Sequence, residues 1–349
     1  MRPSLLLLVA AAAPLAGCPS GPVEATPEST TEGATTEATA TTTPTDPGAT
    51  QIMTTDNTVG STMPPTSDAT TTTGATDPTT ESGESTGGGA SVIVEGLSHP
   101  ESILHDTVDD VYLISNINGD PGMVDDNGFI SRVLPDGSVE ELKWIDSANG
   151  DVTLDAPKGL AIFGEVLYVA DLTFVRKFDR STGAPLGDIE IPGAAFLNDL
   201  AASPFGNIYA SDTMTDTLHV IGPDDSITTM LTSPDLTGPN GLVYTGEYLM
   251  VAAYNGNDLF QVPFEGPQAL VAHTFEFGSL DGLVAVEGGL LVSSWEMGKS
   301  GVYMLSTDLT TVTSVIEGID SPADIEVDLG RNTLLVPVLL GDRAEFYPL

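Results

Sequence analysis

Residues 239–251 read Pro-Asn-Gly-Leu-Val-Tyr-Thr-Gly-Glu-Tyr-Leu-Met-Val. A turn tetrapeptide leads into an apolar run, a Thr-Gly-Glu turn interrupts it, and a second apolar run follows. That is two short strands joined by a tight turn. The same arrangement occurs six times. The leading tetrapeptides are Pro100-Glu101-Ser102-Ile103, Pro157-Lys158-Gly159-Leu160, Leu197-Asn198-Asp199-Leu200, Pro239-Asn240-Gly241-Leu242, Leu280-Asp281-Gly282-Leu283 and Pro322-Ala323-Asp324-Ile325. Their second residues are spaced by 57, 40, 42, 41 and 42 positions. The longer first step implies a loop insertion, which 118–127 and 146–155 would supply.

Each tetrapeptide is followed by a second apolar run, such as Val111–Ile114, Leu167–Ala170 or Leu334–Val336, and then by further strand and turn signals such as Val175–Phe178 and Pro135-Asp136-Gly137. Four short strands in a unit of about 41 residues is the arithmetic of a propeller blade, and no helical period competes with it. A β-sandwich has no reason to repeat at this interval. Closure is legible too. Val312–Pro322 resembles Ser91–Pro100, so the latter is an outer strand with no blade before it. It should complete the sixth blade beside Ala344–Tyr347, pairing what would otherwise be open edges. The expected fold is therefore all-β: a six-bladed β-propeller over 91–349, closed by its N-terminal strand.

The segment before it is a different polymer. Arg2 and the apolar stretch Leu5–Leu15 end on Leu15-Ala16-Gly17-Cys18, the pattern of a lipoprotein signal peptide (1–17) cleaved before the chain's single cysteine. Cys18 is the expected lipidation site, and no intrachain disulfide is possible. Residues 18–90, rich in Thr, Ser, Pro and Gly, cannot bury enough apolar surface to order themselves. They read as a disordered stalk with a reach on the order of 50 Å, its Thr and Ser being candidates for O-glycosylation. The expected location is the cell envelope, lipid-anchored at an outer membrane or cell surface. Residues 91–349 hold 9 Lys/Arg against 40 Asp/Glu, a formal charge of −31. Such a charge opposes nucleic acid and anionic lipid and attracts divalent cations. The expected molecule is a monomer.

Repeat-equivalent residues of a propeller lie at one height around its axis. The second positions, Glu101, Lys158, Asn198, Asn240, Asp281 and Ala323, should therefore form a ring facing the central tunnel. Carboxylates and carboxamides without His or Cys make a hard oxygen site, which suits Ca²⁺ or another divalent cation better than Zn²⁺. The competing reading of Asn198, Asn240 and Asp281 is local turn chemistry, which explains Glu101 poorly.

In this blade order the ring resembles the senescence-marker-protein/gluconolactonase/luciferin-regenerating-enzyme family and the related diisopropyl fluorophosphatase. The resemblance covers about 95–349. It implies a catalytic divalent metal, usually calcium, held by Glu101, Asn198, Asn240 and Asp281, with Asp281 doubling as general base or nucleophile. Lys158 departs from the pattern. It is expected either to pair with Glu101 or Asp281 and weaken the metal, or to steady an anionic substrate or oxyanion as a second catalytic residue. In the sixth blade, Asp324 offers an additional carboxylate.

Asp171 and Asp212 end equivalent second strands and read as structural turn acceptors. His99 and His273 are placed near the tunnel mouth, though a plain strand or loop role is the simpler reading of each. Trp144 and Trp295 read as packing or pocket wall. The acidic Asp125-Asp126-Asn127-Gly128 lacks a full calcium-loop pattern. There is no Gly-x-Ser-x-Gly nucleophile elbow. Two functions remain: a calcium-dependent hydrolase of lactonase or esterase type acting on a small molecule, or a non-catalytic surface propeller that binds a glycan, peptide or protein. In the second, Lys158 would fill the position that an enzyme leaves open.

Overall fold

The computed structural model describes residues 89–149, 152–265 and 269–349. The expected signal peptide, Cys18 and all but the last two residues of the expected stalk lie outside them.

The described residues form six four-stranded antiparallel sheets arranged as blades. Blade 1 runs outward from the axis through Pro100–Asp106, Val111–Asn116, Phe129–Val133 and Val139–Asp146. The next four blades begin with the inner strands Pro157–Phe163, Leu197–Ala202, Pro239–Tyr244 and Leu280–Val286. Blade 6 has the inner strand Glu326–Asp328, then Thr333–Val338 and Arg343–Pro348, and its outer strand is the N-terminal Val92–Glu95. Val92 lies opposite Phe346 and Glu95 opposite Arg343. The expected closure is present, and it removes two open edges.

Burial explains the strand composition. The second strand Val111–Asn116 is buried on both faces, whereas the outer strand Val139–Asp146 is mostly exposed. Inner positions accordingly read as continuous apolar runs, and outer ones carry charge. Six of the apolar clusters each join two consecutive blades. Leu113 and Ile130 of blade 1 pack with Val169 and Phe178 of blade 2. Val94 and Ile114 pack with Leu335 and Phe346 across the closing seam. Because every blade buries its faces only against neighbours, the ring must close to be stable. Trp144 belongs to the cluster between blades 1 and 2, as wall of the core and not of a pocket.

The insertion in the first repeat falls where expected, between Asn116 and Phe129 and between Asp146 and Pro157. Its acidic stretch ties the two loops together. Asp126 Oδ1 accepts from the Leu154 amide at 3.1 Å, and the Asp126 amide donates to Asp155 Oδ1 at 3.0 Å.

Candidate active site

Each of the first five inner strands pairs through its first residue, skips two positions and resumes at its fourth. Pro100 faces Asn116 and Ile103 faces Ile114; Leu280 faces Ser294 and Leu283 faces Val292. Blades 2, 3 and 4 do the same. The second and third residues of each tetrapeptide are thus the body of a β-bulge, a device that re-aims a side chain out of the strand's alternation. Glu101, Lys158, Asn198, Asn240 and Asp281 all line one cavity of about 310 Å³. Ala323 does not. In blade 6 Pro322 bridges Val338 and Glu326 pairs with Leu335, the same one-residue slip, but Ala323 is fully buried and its methyl does not reach the cavity lining. The expected ring of six therefore has five members at the site.

The third position of the bulge sets how closely neighbouring inner strands approach. A Cβ on Gly159 would stand 2.5 Å from Asp199 Cα and 2.7 Å from the Asn198 carbonyl oxygen, so only glycine fits there. Where this position is not glycine, it links blades. Asp199 accepts from the amides of Leu200 and Leu242, both at 2.6 Å. Ser102 Oγ donates to Asp324 Oδ2 at 2.6 Å, and the Asp324 amide donates to the Glu101 carbonyl at 2.9 Å. In alternate blades a serine of the second strand completes the bulge. Ser115, Ser211 and Ser293 accept the amides of Ser102, Asp199 and Gly282 at 2.9, 2.9 and 2.7 Å.

The loops entering the ring are clamped from the second strands. Asp171 accepts from the amides of Asp155 and Ala156, and Asp212 from those of Ala195 and Phe196. Asn116 does the same in blade 1, accepting the Ser98 amide at 2.9 Å. These residues are the structural acceptors that their recurrence suggested.

Four buried oxygens in the ring have no hydrogen-bond partner: Glu101 Oε2, Asn198 Oδ1, Asn240 Oδ1 and Asp281 Oδ1. Orphaned buried acceptors are rare in folded proteins, and each calls for a ligand. No cluster of three or more His, Cys, Asp and Glu residues among the described residues is arranged to hold a metal ion. The ring meets the donor count only with its two carboxamide oxygens beside its two carboxylates. As a set, these four fit a hard divalent cation.

The electrostatics point the same way. Burial, then the nearby Asp281 and Asp324, pushes the Glu101 carboxyl well above its usual range. Burial and Asp324 push up Asp281, opposed by the Trp295 indole, which leans toward it without reaching hydrogen-bond geometry. Further along the axis, burial raises Asp324 to about 7. Carboxyls crowded this way either take up protons or hold a cation.

Lys158 follows neither expected pairing. Its Nζ donates to the Ala156 carbonyl at 2.9 Å and sits 4.3 Å from the centre of the Phe196 ring. Burial lowers its pKa to about 8 against the opposing pull of Glu101 and Asp171. Engaged with Ala156 and Phe196, the ammonium leaves the four orphaned oxygens unpaired.

The rest of the wall was not read from the sequence. Phe196 and Tyr254 are added to Trp295, with Ile117, Pro121 and Leu339 around them. His99 lies on this wall as placed, held at a positive φ of 47°. His273 does not: it stands on the outer strand Leu270–Thr274 of blade 4, 3.1 Å from the Leu309 carbonyl.

No family model and no curated protein matches the chain. Solved structures do. A gluconolactonase candidate from structural genomics superposes with a TM-score of 0.57 at 16% identity, covering 72% of this chain and 90% of its own. A gluconolactonase from Xanthomonas campestris gives 0.53 at 17% identity over 74% of this chain and 98% of its own. Virginiamycin B lyase from Staphylococcus aureus gives 0.53 at 14%, over 74% and 99%. At such identities the likeness carries the fold, and this chain is a six-bladed β-propeller whose structural neighbours include gluconolactonases.

Proposed function

We propose that the chain is a divalent-cation-dependent hydrolase of lactones or esters, with calcium the best-fitting ion. The observation that carries this reading is the set of four orphaned oxygens on Glu101, Asn198, Asn240 and Asp281 in one cavity. These residues would hold the ion, and a bound ion would supply Lewis-acid polarisation of the scissile carbonyl. The gluconolactonase neighbours support a lactonase-type reaction.

The chain's own groups account for the remaining chemistry. Hydrolysis adds a water oxygen to the carbonyl carbon, breaks the acyl–oxygen bond and delivers a proton to the departing alkoxide, so that a lactone yields a hydroxy acid. Asp281 takes the proton from the attacking water, being a ring carboxylate in the cavity with an oxygen that no protein group occupies. Lys158, with N–H groups to spare beyond the one given to Ala156, steadies the negative charge that develops on the substrate oxygen. We extend the proposal to location: the Leu15-Ala16-Gly17-Cys18 motif would anchor the enzyme on the cell envelope.

The test is lactone and ester hydrolysis by the chain from residue 19 onward, with calcium restored after chelation. Asp281→Asn is expected to remove turnover while thermal stability is retained. Unchanged turnover in that variant would reject the mechanism.

A further inference from the structure

Resting on that hydrolase reading, the cavity also identifies the class of substrate. Above the oxygen-lined floor the wall is made by Ile117, Pro121, Phe196, Tyr254, Trp295 and Leu339. The polar groups left over are few. Thr213 Oγ1 is committed to the Pro239 carbonyl at 2.8 Å, and one Lys158 N–H to Ala156. The Trp295 indole N–H has no partner, the Tyr254 hydroxyl also lies on this wall, and His99 Nδ1 stands 4.0 Å from Asp342 Oδ1. A polyhydroxylated lactone brings several hydroxyl groups, each needing a partner when it leaves water. This wall meets them at only a few points, with the Tyr254 hydroxyl, the Trp295 indole and the remaining Lys158 N–H groups.

The apolar character continues outward. Each ring residue sits at the start of an inner strand, which pairs antiparallel with the end of the second strand, as Leu280 does with Ser294. The loops that leave the second strands therefore open at the same end as the cavity. Those loops carry Met123, Val124, Met214, Met297 and Leu340 in exposed positions, Met297 at 95%. Pro121, Thr213 and Trp295, within two residues of the methionines, line the cavity, as does Leu340 itself. On a domain of charge −31, this is an apolar rim around an apolar well, and exposed apolar groups gathered at one place mark a binding surface.

We infer that the substrate is an ester or lactone bearing an alkyl chain or aromatic ring, taken in preference to a sugar lactone. The carbonyl lies on the oxygen floor, and the apolar substituent runs along Phe196, Trp295 and Leu339 toward the methionine rim.

The experiment uses the chain from residue 19 onward, calcium-loaded, and measures kcat/KM for unsubstituted δ-valerolactone, for its 5-alkyl homologues up to heptyl, and for glucono-1,5-lactone. Binding of the non-hydrolysable 5-alkyl δ-lactams is measured in parallel by calorimetry. The expected result is a rise of about fourfold per methylene over the first several carbons, with the sugar lactone at least about a hundredfold below the heptyl compound. Leu339→Asn should flatten the chain-length series. Lactone hydrolysis without chain-length preference, or with the sugar lactone preferred, overturns this inference and leaves the hydrolase reading standing. Chain-length-dependent lactam binding without any lactone hydrolysis overturns the hydrolase reading, and with it the lactone as substrate, while leaving the cavity a site for apolar ligands. Absence of both turnover and lactam binding overturns both.

Discussion

Gly159 tests whether the ring is a jointly built site or a set of independent turns. A Cβ placed on it would lie 2.5 Å from Asp199 Cα and 2.7 Å from the Asn198 carbonyl. Ordinary contact begins near 3.4 Å, so the two inner strands must part by about 0.9 Å. These two atoms are backbone, which no rotamer change can move, and the Asp199 Oδ1 at 2.5 Å is held by the Leu200 amide. Forcing a methyl into such a place costs roughly 1–3 kcal/mol. For a domain of this size, that lowers Tm by roughly 2–10 °C. The shift lands on Asn198, and metal sites tolerate displacements of only about 0.2 Å. Gly159→Ala should therefore weaken calcium binding about 10- to 100-fold, as disturbance of a ligand's supports usually does. The assay is thermal denaturation in chelator together with calcium titration calorimetry. The control is Gly122→Ala, where the added methyl meets only Asp120 Oδ1 at 3.6 Å, and neither quantity should move. Parent-like stability and affinity in Gly159→Ala would show that the ring residues are independent turns.

Two further expectations concern buried charge. Asp171 is fully buried and holds two loop amides and Arg176 Nε, the last at 2.9 Å; Asp171→Ala should cost about 3–5 kcal/mol in urea denaturation, because Arg176 and the amides lose a buried partner. A loss below about 1 kcal/mol would show that the clamp is dispensable. Glu326 is raised from 4.5 to about 7, first by burial and further by Asp324 and Asp328, against the Val327 amide. Since its folded pKa lies above the unfolded one, the group's stabilisation is full below about pH 4.5 and lost as pH rises through 7. For a partly buried carboxyl this amounts to at most ~3 kcal/mol. In chelator, Glu326→Gln should match the parent near pH 4 and exceed it in Tm at pH 8; parallel curves would contradict the assignment.

The legible and illegible parts of the site differ for a physical reason. Glu101, Lys158, Asn198, Asn240 and Asp281 share one backbone device, the bulge at the head of the inner strand, so their spacing survives in the sequence. Asp171 and Asp212 were legible on the same grounds. Ala323 has the spacing and the bulge of the other five, since Pro322 faces Val338 and Glu326 faces Leu335, but its side chain is a single methyl that does not reach the cavity. The orientation of Lys158 depends on a carbonyl two residues back and on Phe196 from the next blade, a pairing that no sequence period encodes. The apolar wall comes from loops of unequal length that follow no repeat, so Ile117, Phe196, Tyr254 and Leu339 could not be singled out. His273 follows its simpler reading as a plain strand residue: it sits on an outer strand, far from the inner strands that carry the ring.

Everything proposed for this site depends on the axial oxygens holding a divalent cation. The most direct measurement is calcium titration calorimetry on the chelator-treated chain from residue 19 onward, beside Asp281→Ala and Lys158→Met. One site is expected in the parent, none in Asp281→Ala, and equal or tighter binding in Lys158→Met, where a nearby positive charge is removed. A folded parent that binds no calcium, or binding that survives Asp281→Ala, would contradict this expectation.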